Sequence, residues 1–231
     1  STMPPAFTVV APLMVPVPVF APMPAFPATA TSASRVLLLG IAAADKRAVA
    51  VGERGVIVLS DDDGRNWRVA KSPTEATLTA VHFVDSRRGF AVGHDAVILM
   101  TEDAGETWKQ VHAAPDEQKP LLAIWFENAE HGIAVGAYSS FYRTSDGGKS
   151  WQAVAEFAGD LHFNALAGGA DGKVFLVGES GLILRSDDAG RTWREVGSVA
   201  GKRLGEAALA YLGDGRVVFI SRHEWPFYRL S

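Results

Sequence analysis

The chain has 231 residues, a formal net charge of −4 and a pI near 5.9, and 48% of its residues are hydrophobic. This length and composition suffice to bury the core of one repeat domain or of two small domains. No run rich in lysine and arginine is present, so a surface that follows nucleic-acid phosphates is excluded. The absence of cysteine excludes disulfides, thiolate catalysis and cysteine-ligated metal sites.

Residues 1–34 differ in composition from the rest of the chain. They contain no charged side chain and eight of the twelve prolines, which alternate with apolar residues over residues 15–26. Because each proline fixes φ and removes a donor, an extended or polyproline II backbone is expected instead of a helix. Residues 28–30 look like a signal-peptide cleavage site, but a basic start is lacking and prolines interrupt the apolar stretch. We predict a separate extended segment that lies on its own domain or straps onto a partner.

From residue 35 onward the chain repeats a pattern, Ser/Thr-x-Asp-x-Gly-x-x-Trp, known as the Asp box. Four copies occur, and their tryptophans are separated by 41, 43 and 42 residues. A period near 40 with short strands between turns is typical of the four-stranded blade of a β-propeller. The structural Asp-box positions are Asp62, Gly64, Trp67, Asp103, Gly105, Trp108, Asp146, Gly148, Trp151, Asp188, Gly190 and Trp193.

Folding alone explains every residue of the box. The Asp carboxylate is expected to accept hydrogen bonds from the N–H groups of its own turn, with a further bond from the Ser/Thr hydroxyl. Glycine suits a positive φ, and tryptophan provides an apolar anchor between blades. Strands ending in Val-Gly and earlier β-rich runs such as residues 121–126 complete each blade.

A weaker fifth unit follows in residues 207–230, without an Asp box. The sequence therefore predicts an all-β fold, a propeller of about five blades, four clear and one degenerate, over residues 35–231. Since open blade edges invite aggregation, the segment of residues 1–34 is expected to take part in closing the ring, and a partner chain that completes it is the alternative.

The repeat, with Ala-Val-Gly, then Gly-x-Ile-x-x-Ser/Thr, then Asp-x-Gly-x-x-Trp, resembles the BNR/Asp-box propellers of the photosystem II stability/assembly factor-like family. Residues 37–41 and 48–55 are similar to the first blade of its bacterial members, and the resemblance extends from Arg35 to about Val196. Members in photosynthetic organisms help assemble photosystem II, and other bacterial relatives are usually exported and often accompany membrane transport systems. The chain departs from the family, whose members usually have about seven blades, in its lower blade number and in its proline-rich start.

Asp boxes also occur in sialidases, so a carbohydrate-active enzyme or lectin is the alternative function. Such an enzyme needs an arginine cluster, a tyrosine nucleophile and an acid, and the Phe-Arg-Ile-Pro segment of sialidases is missing here. Arg143 precedes a box, is matched by Arg185 in the next repeat, and is interpreted as an outward strand residue. The six histidines lack the spacing of a metal site, although His82 on an inner strand is a position to check. No catalytic residue, metal or cofactor is predicted.

Binding is expected in the turns between the second and third strands, opposite the boxes, because these loops vary within a constant frame. The candidate contact residues are Arg54, His94, Asp95, Tyr138 and Glu179. We therefore predict a non-catalytic scaffold or assembly factor that binds a protein partner, a membrane complex, and that is periplasmic or otherwise exported. A subunit built permanently into such a complex is a third possibility.

Overall fold

The structure, a computed structural model, describes residues 36–155, 157, 159–169 and 171–198, together with the backbone of three strands between residues 207 and 230. The predicted segment of residues 1–34, and its predicted part in closing the ring, lie outside the described residues. The described part is all β, and none of its helices is long and apolar enough to cross a membrane.

The strands form five antiparallel sheets that follow one another along the chain. Blade 1 contains β1 (Leu38–Ala44), β2 (Arg47–Gly52), β3 (Ile57–Ser60) and β4 (Arg68–Ala70). Blade 2 contains β5 (Leu78–Phe83), β6 (Gly89–Gly93), β7 (Ile98–Thr101) and β8 (Lys109–His112). Blade 3 contains β9 (Leu121–Phe126), β10 (Gly132–Gly136), β11 (Phe141–Thr144) and β12 (Gln152–Ala153).

Blade 4 contains β13 (Phe163–Gly168), β14 (Val174–Gly178), β15 (Leu182–Ser186) and β16 (Arg194–Ser198). The fifth sheet has three strands, β17 (Ala207–Gly213), β18 (Arg216–Ser221) and β19 (Tyr228–Leu230). Short 3-10 helical turns lie at Glu53–Gly55, His94–Ala96, Pro115–Glu117 and Glu179–Gly181. Four four-stranded blades and a fifth sheet with three described strands confirm the predicted all-β propeller fold class.

The blades pack side by side through their first strands and their flat faces. β1 lies against β5, β5 against β9, β9 against β13, and β13 against β17. The second strands β6, β10 and β14 are buried along their whole length because neighbouring blades cover both faces. This double burial explains why these strands consist of small and apolar residues without polar alternation.

Each Asp box closes its hairpin with the same set of hydrogen bonds, seen clearly in blade 2. The Thr101 hydroxyl donates to the Asp103 carboxylate at 2.8 Å and accepts the Gly105 N–H at 2.9 Å. Asp103 also accepts the backbone N–H and the hydroxyl of Thr107, at 2.9 and 2.6 Å. Gly105 has φ of 89°. The Ser or Thr at the first position of each box is buried: Ser60, Thr101, Thr144 and Ser186.

The box tryptophan packs between two blades. Trp108 is 8% exposed, and its indole N–H donates to the Gly105 carbonyl at 2.9 Å. Its ring belongs to a core cluster with Val49 and Leu59 of the preceding blade. Trp151 and Trp193 join the corresponding clusters further along the chain, although the buried Trp193 N–H has no hydrogen-bond partner among the described residues. The predicted inter-blade anchor is therefore confirmed for these three boxes.

The box glycines provide a test of inter-blade packing. A Cβ on Gly148 would lie 2.2 Å from the Phe90 ring of the preceding blade, whereas one on Gly64 would meet only its own Trp67, at 3.8 Å. Both glycines have φ of 80°, so Gly64→Ala is expected to lose about 1–2 kcal/mol for backbone strain alone. Gly148→Ala should lose a further 1–3 kcal/mol, roughly, from overpacking. Urea unfolding of both variants measures the difference, and equal losses would contradict the packing.

The lowered pKa values of two box carboxylates predict that the fold loses stability in acid. Hydrogen bonds, from the Ser150 hydroxyl above all, lower the pKa of Asp146 from 3.8 to about 2, and those led by the Thr192 hydroxyl do the same for Asp188. Since the folded-state pKa lies below the unfolded one, this stabilisation is complete above about pH 4 and is lost as the pH falls toward 2.

The free energy of unfolding, measured by urea titration, should therefore fall between about pH 4 and pH 2. In the double variant Asp146→Asn/Asp188→Asn that decline should be shallower, because two of the titrating groups are gone. A double variant with the wild-type pH dependence would show that these carboxylates do not stabilise the folded state.

Candidate binding face of the propeller

Antiparallel pairing places the loops of every blade at two opposite ends of the domain. At one end, which we call the turn face, lie the turns between second and third strands, within residues 53–56, 94–97, 137–140 and 179–182. The connections to the next blade lie there too, as the 2.9 Å bond from the Ala96 N–H to the Lys119 carbonyl shows. The Asp boxes and the first turns form the opposite end, the box face, where the Ala104 N–H donates to the Arg87 carbonyl at 2.8 Å.

The turn face is built from tight hairpin turns of one type. In blade 1, Arg54 and Gly55 have φ of 55° and 68°, and the Val56 N–H donates to the Glu53 carbonyl at 3.1 Å. Two successive left-handed residues define a type I′ turn, whose twist matches that of the flanking strands. The same pair of left-handed positions is filled by Asp95–Ala96, Tyr138–Ser139 and Ser180–Gly181.

All five predicted contact residues lie on the turn face, one blade after another, and they do not form a single pocket. Arg54, Asp95 and Tyr138 occupy the first left-handed position of their turns, while His94 and Glu179 stand one residue earlier. Arg54, His94 and Tyr138 are exposed, whereas Asp95 and Glu179 are half-buried. The arrangement is an arc of different side chains on one rigid type of turn, as expected for recognition of an extended partner surface.

Tyr138 is the most conspicuous side chain of this arc. It is 48% exposed although it is large and apolar, and its φ of 54° is a conformation that bulky residues rarely adopt. Its ring lies 4.9 Å from the His162 ring at an interplanar angle of 65°. The other three turns also place a non-glycine residue at this position with φ of 55° to 58°, so the turn type sets the backbone of Tyr138 and leaves its ring exposed.

The surroundings of Tyr138 fix it in place. The neighbouring Ser139 hydroxyl donates to the Gly159 carbonyl at 2.8 Å and accepts the Leu161 N–H at 3.1 Å, so the turn holds the connection to blade 4. Ser139 and His162 were missed in the sequence, since no local motif marks them. Their role depends on the path of the connection, which only the folded chain reveals.

The first strands of a propeller would surround an active site, and those of blades 1 to 4 lack the groups that a glycosidase needs. β1, β5, β9 and β13 contain no Asp, Glu, Arg or Tyr. His82 on β5 lies parallel to the Phe126 ring at 6.2 Å, and desolvation lowers its pKa from 6.5 to about 4. A neutral, stacked histidine contributes to packing. Within the described residues, no group of three potential metal ligands is present.

Arginines on the box face join neighbouring blades. Arg143 donates to the Gly190 carbonyl at 2.5 Å, and its guanidinium lies 5.1 Å from the centre of the Phe141 ring. Arg185 instead pairs with Asp187 within its own blade. Both arginines lie on strands, as predicted, and Arg143 is half-buried against the next blade while Arg185 pairs within its own.

A similar charged network links blade 1 to the second box. Arg47 lies 2.5 Å from Asp61 and 2.9 Å from Glu106, and Arg68 pairs with the same two carboxylates. The pKa of Glu106 is lowered, chiefly by its hydrogen bond with Arg68.

A cleft of about 330 Å³ between blades 3 and 4 is lined by Glu127, Arg143 and Arg191, among others. Arg191 pairs with Glu127 there at 3.1 Å, so these charges are also used between blades.

Several solved structures are similar to this chain. YCF48 bound to a D1 peptide has a TM-score of 0.64 and 21% sequence identity, with coverage of 81% of this chain and 62% of that one. YCF48 from Cyanidioschyzon merolae has a TM-score of 0.61 and 16% identity, covering 84% and 71%. The GH74 xyloglucanase of Xanthomonas campestris has a TM-score of 0.60 and 20% identity, covering 80% and 35%. At these identities the likeness shows the propeller fold, and the chain spans 62% of the first of these proteins.

No curated protein matches the chain significantly by sequence. The family model described as photosynthesis system II assembly factor YCF48 matches residues 59–119 and 115–209, which is more than half of the chain. The matched region contains all four Asp boxes and the turn face from blade 2 onward. The chain therefore belongs to the family of the photosynthesis system II assembly factor YCF48.

Proposed function

We propose that this protein is a non-catalytic assembly or stability factor that binds a protein partner. The family match over residues 59–209 carries this proposal, since it covers the whole of blades 2, 3 and 4. A relative with the same fold is described as bound to a D1 peptide, which is a precedent for a peptide ligand on such a propeller. The partner proposed here is a segment of a membrane-complex subunit, and the protein is proposed to act outside the cytoplasm, at the membrane periphery.

The partner is proposed to bind on the turn face. Tyr138 supplies an exposed aromatic ring held rigidly by its turn, which is the kind of residue that contributes most to protein interfaces. Arg54 and Glu179 add charges of opposite sign at other blades of the same face, and these would set the register of an extended ligand. The domain division is proposed as well, with a propeller over residues 35–231 and a separate segment of residues 1–34.

A carbohydrate-active function is not favoured. The first strands of blades 1 to 4 offer neither the paired carboxylates nor the tyrosine that such chemistry requires. The xyloglucanase of Xanthomonas campestris shares the fold, yet this chain covers only 35% of it. A propeller frame is compatible with many functions, so the likeness does not transfer the activity.

The proposal predicts how a peptide probe will bind. A fluorescein-labelled copy of the D1 peptide should raise its fluorescence anisotropy when the purified protein is added. Tyr138→Ala should weaken binding by about tenfold, because truncating a central interface aromatic typically costs more than 1 kcal/mol. Val69→Ala is the matched control, since Val69 is exposed and lies on the outer strand β4 away from the turn face, and its affinity should equal the wild type.

A second probe covers a partner that differs from the D1 peptide. A photo-crosslinking amino acid at position 138 should form one dominant adduct with a membrane-complex subunit when the protein is irradiated in native membranes. The same amino acid at position 69 should not. If the peptide does not bind and position 138 gives no adduct beyond that of position 69, the turn face is not the binding face and the proposal is wrong.

A further inference from the structure

On the box face, the interface between blades 1 and 2 contains a carboxylate held by two arginines. Glu106, which follows the glycine of the second box, accepts a hydrogen bond from Arg68 Nη1 at 2.8 Å and lies 2.9 Å from Arg47 Nη1. Both arginines belong to the preceding blade, and both also pair with Asp61. Two cations of blade 1 therefore face two carboxylates, and we call these two cations the clamp.

Blade 2 has a cation in the place of each clamp arginine. The ladder registers of β2 with β3 and of β6 with β7 align Arg88 with Arg47. Lys109 directly follows its box tryptophan, as Arg68 does in blade 1. A Cβ on Gly147 would lie 3.1 Å from Arg88 Nη1, so this guanidinium reaches the box of blade 3. A clamp is therefore repeated between blades 2 and 3, in position and in charge.

The carboxylate that the second clamp would hold is replaced by a cation. In the third box, Lys149 stands where Glu106 stands in the second. Lys149 is exposed and, like Lys109, has no ion pair among the described residues. The Nε of Arg88 is buried and makes no hydrogen bond within the described part of the chain, and Asp85 lies 3.9 Å from it. Three cations thus stand where the preceding interface has two cations and a carboxylate.

The interface between blades 3 and 4 shows how the fold compensates a cation at this box position. Arg191 occupies the position in the fourth box, and Glu127 of the preceding blade pairs with it at 3.1 Å. The residue of blade 2 that corresponds to Glu127 is Val84, since each follows the first strand of its blade and makes the same backbone hydrogen bond across the turn. Lys149 therefore lacks the carboxylate that Arg191 receives from its neighbouring blade.

A cleft of about 500 Å³ opens on the box face at this interface. Its charged lining residues are Arg87, Glu102, Asp103, Lys109 and Lys149. Asp103 is hydrogen-bonded within its own box, and Glu102 corresponds to Asp61 of the first box. The cleft therefore keeps one of the two carboxylate positions found at the preceding interface, and the other position carries Lys149.

We propose that this cleft binds the carboxylate of a ligand, which lies between Arg88, Lys109 and Lys149 as the clamp of blade 1 holds its carboxylate. Two ammonium groups beside a guanidinium suit an oxyanion, because charge-assisted hydrogen bonds are the strong ones. The ligand is a free carboxylic acid or an acidic segment of a protein. The site lies at the opposite end of the domain from the turn face, so the inference does not rest on the proposed function.

Binding is measured on the full chain with two carboxylate probes. Fluorescein-labelled tetraglutamate is titrated by fluorescence anisotropy at about 0.15 M salt, where charges more than about 8 Å apart are screened. Glutarate is then added as a competitor, with sodium chloride of equal ionic strength as the reference. Tetraglutamate should bind the wild type and be displaced by glutarate if a free acid suffices.

Lys149→Glu is the decisive variant, because it supplies the missing carboxylate from the protein itself. It should weaken tetraglutamate binding by at least about tenfold, since an attractive charge becomes a repulsive one. It should also raise the melting temperature by roughly 1–3 °C through the new ion pairs. The matched control is Arg65→Glu, the same change of charge at the same position of the first box, which should keep the wild-type affinity.

A milder variant checks the clamp without reversing a charge. Lys109→Gln introduces the residue that blade 3 has at this position, Gln152, and should weaken binding by about tenfold. Circular dichroism verifies that each variant folds.

The outcomes separate the sources of the carboxylate and the possible errors. Displacement of tetraglutamate by glutarate would assign the site to free carboxylic acids, and binding without displacement would assign it to acidic protein segments. The proposal is wrong if neither probe binds, or if Lys149→Glu binds tetraglutamate as the wild type does. An equal loss in Arg65→Glu would also overturn it, because the attraction would then come from charge spread over the whole box face.

Discussion

The Asp-box hairpin is the constraint on which the rest of this structure depends. A buried hydroxyl, such as that of Thr101, connects the box carboxylate to the glycine N–H and so satisfies polar groups that would otherwise be costly inside the sheet. The closed turn then directs the tryptophan against the preceding blade, where it completes a core cluster. Because each box fixes the contact between two blades, the propeller is assembled from nearest-neighbour interfaces, as other repeat folds are.

The two ends of the domain differ in how their side chains are used. On the box face, arginines such as Arg47 and Arg143 are committed to neighbouring blades, so their charges are explained by folding. On the turn face, the backbone geometry is constant and the side chains differ from blade to blade. The turn at Tyr138 keeps a bulky residue at positive φ and leaves its ring partly exposed beside His162.

The fold could be predicted from the sequence because the information is local and repeated four times. Box spacing, Val-Gly strand ends and turn residues all indicate the same blade, and the structure follows them. For the candidate site, the sequence predicted only the end of the domain on which the residues lie. The sequence placed Arg54, His94 and Tyr138 in corresponding loops, but their positions within the type I′ turn differ by one residue, which spacing alone did not resolve. The contact of Tyr138 with His162 could not be predicted, because it joins a turn of blade 3 to the connection that leads into blade 4.

By itself, therefore, the sequence determined the blade and the roles of Asp, Gly and Trp in the box. Each of these depends on residues a few positions apart, whose interactions are set by local backbone geometry. The tertiary structure decided what depends on neighbouring blades: which arginines are used in folding, and that Trp108 is buried while Trp67 and Trp193 are half-buried. Burial is a property of the assembled sheets, and a repeat of identical motifs cannot reveal how much of each copy its neighbours cover.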